Sequence, residues 1–147
     1  MTNRPVALVT GATRGIGRAI AVELSSTHRI LVGGRDAARA GELVAELDDA
    51  APFVCDLADE DAVVAACAGI GRLDVLVHSA GIGRSNDIGL ASRALWREVF
   101  ETNVFAVADL TRLLLPALEA ARGIVVAINS GAGFFSSPGG GVYAGSK

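Results

Sequence analysis

The chain has 147 residues, a length that fits a single domain with one hydrophobic core. Hydrophobic residues make up 51% and charged residues 20% of the sequence, a balance that excludes an intrinsically disordered chain. The formal net charge is −3 and basic residues form no run, so we expect no nucleic acid partner. The longest apolar runs are far shorter than the roughly 20 residues of a membrane-spanning helix, so we expect no membrane partner.

The N-terminal residues pass directly into a strand-like run, without the longer apolar segment and cleavage site of a secretory signal. We therefore expect a cytoplasmic protein. Cys55 and Cys67 have neither a CxxC spacing nor a neighbouring histidine. Two reduced structural thiols are expected rather than a disulfide or a metal pair, and the sequence predicts no metal site.

Short apolar runs alternate along the chain with segments whose apolar residues recur at helical spacing. The predicted strands are 5–10, 29–34, 52–55, 73–78 and 123–129. The predicted helices are 18–26, a stretch around 43–47, 59–68, 92–100 and 102–121, and a last helix begins at 142. Strands that alternate with helices over short links predict an α/β fold with a doubly wound parallel sheet.

A glycine-rich turn, Thr10-Gly-Ala-Thr-Arg-Gly-Ile-Gly17, joins the first predicted strand to the first predicted helix. Small residues at such a junction let the backbone approach a pyrophosphate, and the N-terminus of the helix attracts its charge. A glycine-rich turn is also compatible with a tight structural connection, but this position between strand and helix favours dinucleotide binding. The cofactor-binding residues predicted in the turn are Gly11, Thr13, Arg14, Gly15, Ile16 and Gly17.

The Gly-xxx-Gly-x-Gly spacing of this turn resembles that of the short-chain dehydrogenase/reductase family. Downstream, Tyr143-Ala-Gly-Ser-Lys147 is similar to the Tyr-xxx-Lys signature of that family. Ser130 stands 13 residues before Tyr143, and Asn103 stands 27 residues before Ser130, both at the intervals of the family. The resemblance implies a Rossmann-type sheet with strands in the order 3-2-1-4-5. It extends over residues 1–147 as one dinucleotide-binding domain, which we expect to be incomplete at its C-terminus, without the last strands of the family.

The resemblance implies an oxidoreductase that transfers a hydride between a nicotinamide cofactor and a small carbonyl or alcohol substrate. Asn103, Ser130, Tyr143 and Lys147 would then be its catalytic residues. Tyr143 is expected to act as general acid or base, because a lysine at i+4 shares its helix face and an ammonium stabilises a phenolate. Ser130 would hold the substrate oxygen, Lys147 the nicotinamide ribose and Asn103 a proton-relaying water. The alternative, without the resemblance, is that Ser130 merely ends a strand and that Tyr143 and Lys147 are surface residues.

Two arginines bear on the choice of cofactor. Arg14 and Arg35 resemble family positions at which a basic side chain meets the adenosine 2′-phosphate, so NADP(H) is expected in preference to NAD(H). The alternatives are that Asp36 binds the ribose hydroxyls instead, or that both arginines are only solvated. Asp56 and Leu57 resemble the residues that contact the adenine, with a helix N-cap as the alternative role for Asp56.

The segment His78-Ser79-Ala80-Gly81 occupies the place of the Asn-Asn-Ala-Gly of the family, with both amides replaced. Ala80 and Gly81 are expected to let the ribose approach, and His78 to be a hydrogen-bonded residue at the strand end. Trp96 is expected in the core. Phe134 and Phe135 precede the tyrosine in a loop that lines the substrate pocket in the family, which favours an apolar or aromatic carbonyl compound; packing against another part of the protein is the alternative.

Only six residues belong to the last predicted helix, so we expect a fragment of a longer protein or an unusual truncation. For such a chain a catalytically silent dinucleotide-binding or interaction module is the alternative function. Family members form dimers through the long helix that corresponds to 102–121. We therefore expect the complete protein to be a homo-oligomer.

Overall fold

The computed structural model describes residues 4–85 and 87–147, in which strands and helices alternate. The strands are β1 (Val6–Val9), β2 (Arg29–Gly34), β3 (Ala50–Val54), β4 (Val75–His78) and β5 (Ile124–Ala127). The α-helices are α1 (Gly15–Leu24), α2 (Ala37–Glu46), α3 (Glu60–Cys67), α4 (Arg93–Phe100), α5 (Ala106–Ala121) and α6 (Gly141–Gly145). Two 3-10 turns, Ile88–Leu90 and Gly131–Gly133, and a π turn, Glu101–Phe105, complete the regular structure of these residues.

The five strands form one parallel sheet in the order β3-β2-β1-β4-β5, which confirms the predicted fold class and strand order. β2 and then β3 lie on one side of β1, whereas β4 and then β5 lie on its other side. The carboxyl ends of β1 and β4 therefore border the point at which the strand order reverses. In open parallel sheets a crevice at that point is the usual place for a ligand.

Alternate residues of the central strand supply the two apolar layers of the protein, because successive side chains of a strand point to opposite faces. Leu8 of β1 packs with α3 and α5, whereas Ala7 and Val9 pack with α1 and α2. All three β1 residues are completely buried. The sheet is thus covered on both faces, as a doubly wound fold requires.

The helical segment before β5 differs from the prediction. The sequence predicted two helices with a break near residue 101, whereas the π turn Glu101–Phe105 joins α4 to α5 without interruption. The backbone N–H of Ala106 donates to the carbonyl of Glu101, the wider i→i+5 bond of a π turn. None of the helices in residues 4–85 and 87–147 has the length and apolar character needed to cross a membrane.

Two strands of the sheet differ from their neighbours. β3 begins at Ala50 rather than at the predicted Pro52, and proline is tolerated because β3 is an edge strand. β5 pairs with β4 alone, and Ile124, Val125 and Val126 are all exposed. The apolar run of β5 therefore lies on the surface of the described part of the chain.

The crossing from β4 into the following loop is held by two hydrogen-bonded side chains. The buried hydroxyl of Thr10, at the end of β1, accepts from the backbone N–H groups of Ser79 and Ala80 at 3.1 Å each. His78 Nε2 lies 2.9 Å from Thr111 Oγ1 on α5, and that hydroxyl donates to the carbonyl of Val107. Thr10 and His78 thus hold this end of the sheet, where the family motif has two asparagines. His78 is a hydrogen-bonded residue at the strand end, as expected.

The burial of His78 predicts a pH dependence of stability. Burial lowers the pKa of this imidazole below its ordinary value of 6.5, so the unfolded chain takes up a proton that the folded chain does not. We expect the free energy of unfolding to decrease as the pH falls below about 6.5, and this decrease to be smaller in His78→Gln. Urea unfolding between pH 8 and pH 5 measures both curves.

The other histidine of the chain provides the matched control. His28→Gln removes the other imidazole, and its unfolding curves are the control for the loss of a histidine as such. An unchanged slope in His78→Gln would contradict the role assigned to the buried imidazole.

Candidate cofactor and active site

A cleft of about 740 Å³ opens at the carboxyl ends of β1, β2, β4 and β5. It extends from the glycine-rich turn to the tyrosine and lysine near the end of the chain. Every cofactor-binding residue predicted from the sequence lines it: Gly11, Thr13, Arg14, Gly15, Ile16, Gly17, Arg35, Asp56, Leu57, Ala80, Gly81, Tyr143 and Lys147. The structure therefore places these residues in a single continuous space.

The glycines of the turn are required by its backbone. Gly11 and Gly15 have φ of +65° and +56°, values that residues with a side chain rarely adopt. A Cβ atom on Gly17 would lie 2.3 Å from the carbonyl oxygen of Gly11, and one on Gly11 would lie 2.8 Å from Cα of Ala80. No such atom is tolerated at these distances, so the turn packs tightly on α1 and on the end of β4.

The N-terminus of α1 is open to an anionic ligand. Side chains of Asp36, Asp59 and Ser92 cap α2, α3 and α4 by accepting from backbone N–H groups in the first turn. The N-cap residue of α1, Arg14, makes no such bond, and the first residues of that helix line the cleft. The backbone donors and the helix dipole there fit a pyrophosphate group.

Two arginines border the cleft where β2 ends. Arg14 and Arg35 are both exposed, and neither has an acidic partner among residues 4–85 and 87–147. The carboxylate of Asp36 accepts from the N–H groups of Ala38 and Arg39 at 3.0 and 3.2 Å and caps α2. This capping uses Oδ1 of Asp36, and the exposed Arg14 and Arg35 supply two cations at the cleft.

The residues after β3 form the other side of this end. Asp56 Oδ1 accepts from the N–H of Ala58 at 3.0 Å, whereas Asp59 caps α3 by accepting from Ala62. The alternative that Asp56 is the N-cap of this helix is therefore wrong. Cys55 lines the cleft beside it, and burial raises the pKa of its thiol.

Both cysteines are buried free thiols, as the sequence predicted. Burial raises the pKa of the Cys67 thiol to about 11. The reactive form of cysteine is the thiolate, and a raised pKa lowers the thiolate fraction of both side chains near neutral pH.

The opposite end of the cleft carries three of the four predicted catalytic side chains. Ser130, Tyr143 and Lys147 all line it, and Lys147 Nζ lies 5.6 Å from the centre of the Tyr143 ring. Ser130 Oγ accepts from the N–H of Ala132 at 3.2 Å, which leaves its hydroxyl hydrogen available to a ligand. An acid-base group, a cation and a hydroxyl donor thus lie at one end of the space.

The fourth residue, Asn103, lies behind this cleft. It lines a second cavity of about 240 Å³, and Lys147 borders both cavities. Asn103 Oδ1 accepts from the N–H of Ile82 at 2.8 Å, and Nδ2 donates to the carbonyl of Ile82 and to Ser146 Oγ, both at 2.9 Å. Both N–H groups of the side chain are therefore used within the protein, and a role in holding a relay water stays a prediction.

This geometry agrees with the comparison of the sequence with known families. A sequence model described as short chain dehydrogenase matches residues 5–147. The chain belongs to this family. It spans about half to three-fifths of the length of the curated relatives it matches.

Three members of the family illustrate the similarity. A short-chain dehydrogenase of Penicillium roqueforti is 38% identical over 81% of this chain and 52% of its own length. The 3-oxoacyl-(acyl-carrier-protein) reductase of Haemophilus influenzae is 33% identical over 91% of this chain and 58% of its own. A metagenomic short-chain oxidoreductase solved in complex with NADP superposes with a TM-score of 0.87 at 38% identity, over 97% of this chain and 69% of its own.

Three residues that contact the site of this short-chain dehydrogenase were not predicted as site residues. Thr10 joins the ends of β1 and β4, and Ser146 joins α6 to Asn103. Trp96 was expected in the core, but it is half-buried and lies against Gly145, where a Cβ would come within 3.0 Å of the indole ring. Thr10 and Ser146 lie within the two motifs of the sequence, so their positions could have marked them as site residues. Nothing in the sequence around Trp96 indicates its contact with α6.

Two helical glycines allow a matched test of the turn. Gly17→Ala places a methyl group against the Gly11 carbonyl, whereas Gly41, in the middle of α2, has open space around its missing side chain. We expect Gly17→Ala to lower the free energy of unfolding by about 1–3 kcal/mol and to abolish dinucleotide binding. Gly41→Ala should raise the free energy of unfolding by about 0.5–1 kcal/mol with binding unchanged. Urea unfolding and calorimetric titration with NADPH test both; equal effects of the two substitutions would refute the proposed packing.

Proposed function

We propose that this protein is an NADP(H)-dependent oxidoreductase that interconverts a small carbonyl compound and its alcohol, with Tyr143 as general acid or base. The observation that carries the proposal is the continuity of the cleft. It leads from an uncapped helix N-terminus and two unpaired arginines to Ser130, Tyr143 and Lys147. A dinucleotide with an extra phosphate at one end and a reactive ring at the other matches this order of groups.

The residues of the cleft divide the cofactor between them. Backbone N–H groups of Gly15, Ile16 and Gly17 would hold the pyrophosphate at the start of α1. The Arg14 and Arg35 guanidinium groups would hold the 2′-phosphate by charge-assisted hydrogen bonds. The adenine would lie at Asp56 and Leu57, and the nicotinamide ribose at Ala80, Gly81 and Lys147, as in the family to which the chain belongs.

Bound at this site, the dinucleotide supplies a hydride to the carbonyl carbon or accepts one from the alcohol. Tyr143 donates its phenolic proton to the carbonyl oxygen in the reductive direction and takes it back in the oxidative direction. The ammonium of Lys147, which faces the tyrosine ring, favours the negative charge that remains on the phenolate. Ser130 donates a hydrogen bond to the same substrate oxygen and so stabilises the charge that develops there.

The loop before α6 carries exposed apolar side chains. Phe134 and Phe135 are each 84% exposed, and they follow the 3-10 turn that begins next to Ser130. On the facing loop Ile88 is 63% exposed and contacts the start of α6, where a Cβ on Gly141 would lie 3.2 Å from it. None of these three side chains is among the residues that line the cleft, so an apolar or aromatic carbonyl compound as substrate rests on the family resemblance of this loop. Cytoplasmic location and a homo-oligomeric state stay predictions.

The proposal predicts the effect of removing the phenolic proton. Tyr143→Phe keeps the ring and loses only the hydroxyl, so we expect turnover to fall by about 100-fold or more while the Kd for NADPH stays within a few-fold. NADPH consumption with a panel of aromatic and acyl ketones, and calorimetric titration, measure the two quantities in the full protein. Unchanged rates would refute the role of Tyr143. A wild type that binds NADPH and reduces no carbonyl compound would favour the silent dinucleotide-binding module.

The two unpaired arginines predict the choice of cofactor. A charge-assisted contact to phosphate contributes about 1.5–3 kcal/mol, so Arg35→Ser should weaken NADPH binding by about 10–150-fold and leave NADH binding within a few-fold. Calorimetric titration of both cofactors measures this preference. Arg112→Ser, on the surface of α5, is the matched control and should bind both cofactors as the wild type does. A wild type that binds NADH more tightly than NADPH would contradict the proposal.

A further inference from the structure

The helix that carries Tyr143 is held by contacts with other parts of the protein. α6 follows a loop that is free of regular structure from Phe134 on, and the ring of Trp96 lies against its Gly145. The phenol of Tyr143 and the ammonium of Lys147 depend on this helix for their positions. The contacts that hold α6 therefore decide whether the reacting groups meet the substrate in the correct geometry.

Ser146 makes the central polar contact. It is buried at the C-terminal end of α6, and its hydroxyl donates to the carbonyl of Tyr143 at 2.7 Å. The same Oγ accepts from Asn103 Nδ2 at 2.9 Å. One oxygen thus connects the backbone of the tyrosine to the side chain of Asn103.

Asn103 is itself fixed to two other parts of the protein. Its backbone lies in the π turn between α4 and α5, and its side chain makes two hydrogen bonds to the backbone of Ile82 in the loop after β4. That loop runs along the cleft, because Gly81, Ile82 and Gly83 all line it. The position of α6 is in this way tied to the loop on the opposite side of the reacting groups.

We propose that Ser146 is a positioning residue, which holds Tyr143 and Lys147 in register with the cleft through its hydrogen bonds to Asn103 and to the Tyr143 carbonyl. Ser146 lines the second cavity and is not among the residues that line the cleft. Ser146 affects the geometry of the proton transfer and not the binding of the adenosine part of the cofactor. This inference rests on the proposed function.

The assignment predicts a separation of turnover from cofactor affinity. Ser146→Ala should lower kcat by about 100-fold, because a small misplacement of a catalytic group has an effect of that size. The Kd for NADPH should stay within a few-fold, since the arginines and the glycine-rich turn are unchanged. Ser146→Thr keeps the hydroxyl at a residue that borders the second cavity, so it should restore most of the turnover.

The chain offers a close control for the lost hydrogen bond. Ser25, at the C-terminal end of α1, donates to the carbonyl of Val22 at 2.7 Å, the same bond at the same distance. Ser25→Ala should retain the kcat of the wild type. Ser146→Cys keeps the size of serine with a weak donor and acceptor, so it serves if the alanine variant does not fold and should also lower kcat.

A second readout needs no turnover. Trp96 is the only tryptophan of the sequence, and its ring lies against Gly145 of α6. Loosening of α6 should therefore increase acrylamide quenching of the fluorescence in Ser146→Ala and not in Ser25→Ala. A kcat and a quenching constant in Ser146→Ala equal to those of Ser25→Ala would overturn the assignment, as would a loss of NADPH affinity as large as the loss of kcat. If the wild type reduces no carbonyl compound, the proposed function fails, and the quenching comparison still decides whether Ser146 holds α6.

Discussion

The contact between the ends of β1 and β4 is the constraint on which the site depends. Thr10 accepts two backbone hydrogen bonds from the residues after β4, and Gly11 lies so close to Ala80 that a Cβ would come within 2.8 Å. This contact sets the spacing between the glycine-rich turn, which starts the cofactor end of the cleft, and the loop that leads to the reacting groups. A side chain at Gly11 would push the glycine-rich turn away from Ala80 in the loop after β4. The turn would have to move because β4 is fixed between β1 and β5 in the sheet.

Most of the fold was predictable because it rests on short-range patterns. Apolar runs with glycine at their ends predicted five strands, and the alternation with helices predicted a parallel sheet, as the structure shows. The glycine-rich turn was predicted to bind a dinucleotide from its place between a strand and a helix, whereas Arg35, Asp56 and Leu57 were assigned from the family resemblance; all of these residues line the cleft. The order of the strands and the role of Tyr143 came from the family resemblance and not from residue patterns.

The parts that were not predictable depend on partners distant in the sequence. The π turn Glu101–Phe105 has no characteristic residue composition, and Asn103 within it is buried. His78 is hydrogen-bonded to Thr111, 33 residues later, and Ser146 is hydrogen-bonded to Asn103, 43 residues earlier. The partners in such hydrogen bonds depend on how whole helices and strands pack together. The sequence therefore shows which polar residues are present but not which of them pair.

Under the proposed function, the two ends of the cleft would recognise their ligands by different physical means. At the end proposed for the adenosine, the exposed Arg14 and Arg35 would act by charge, so salt and the 2′-phosphate would govern binding. At the other end, the side chain of Asn103 and the hydroxyl of Ser146 are buried and hydrogen-bonded, so geometry would govern the proposed chemistry. Charge tolerates small displacements, whereas the proposed proton transfer from Tyr143 does not. The rigid hydrogen-bond network therefore lies at the end of the cleft where an error of position has the larger effect on the rate.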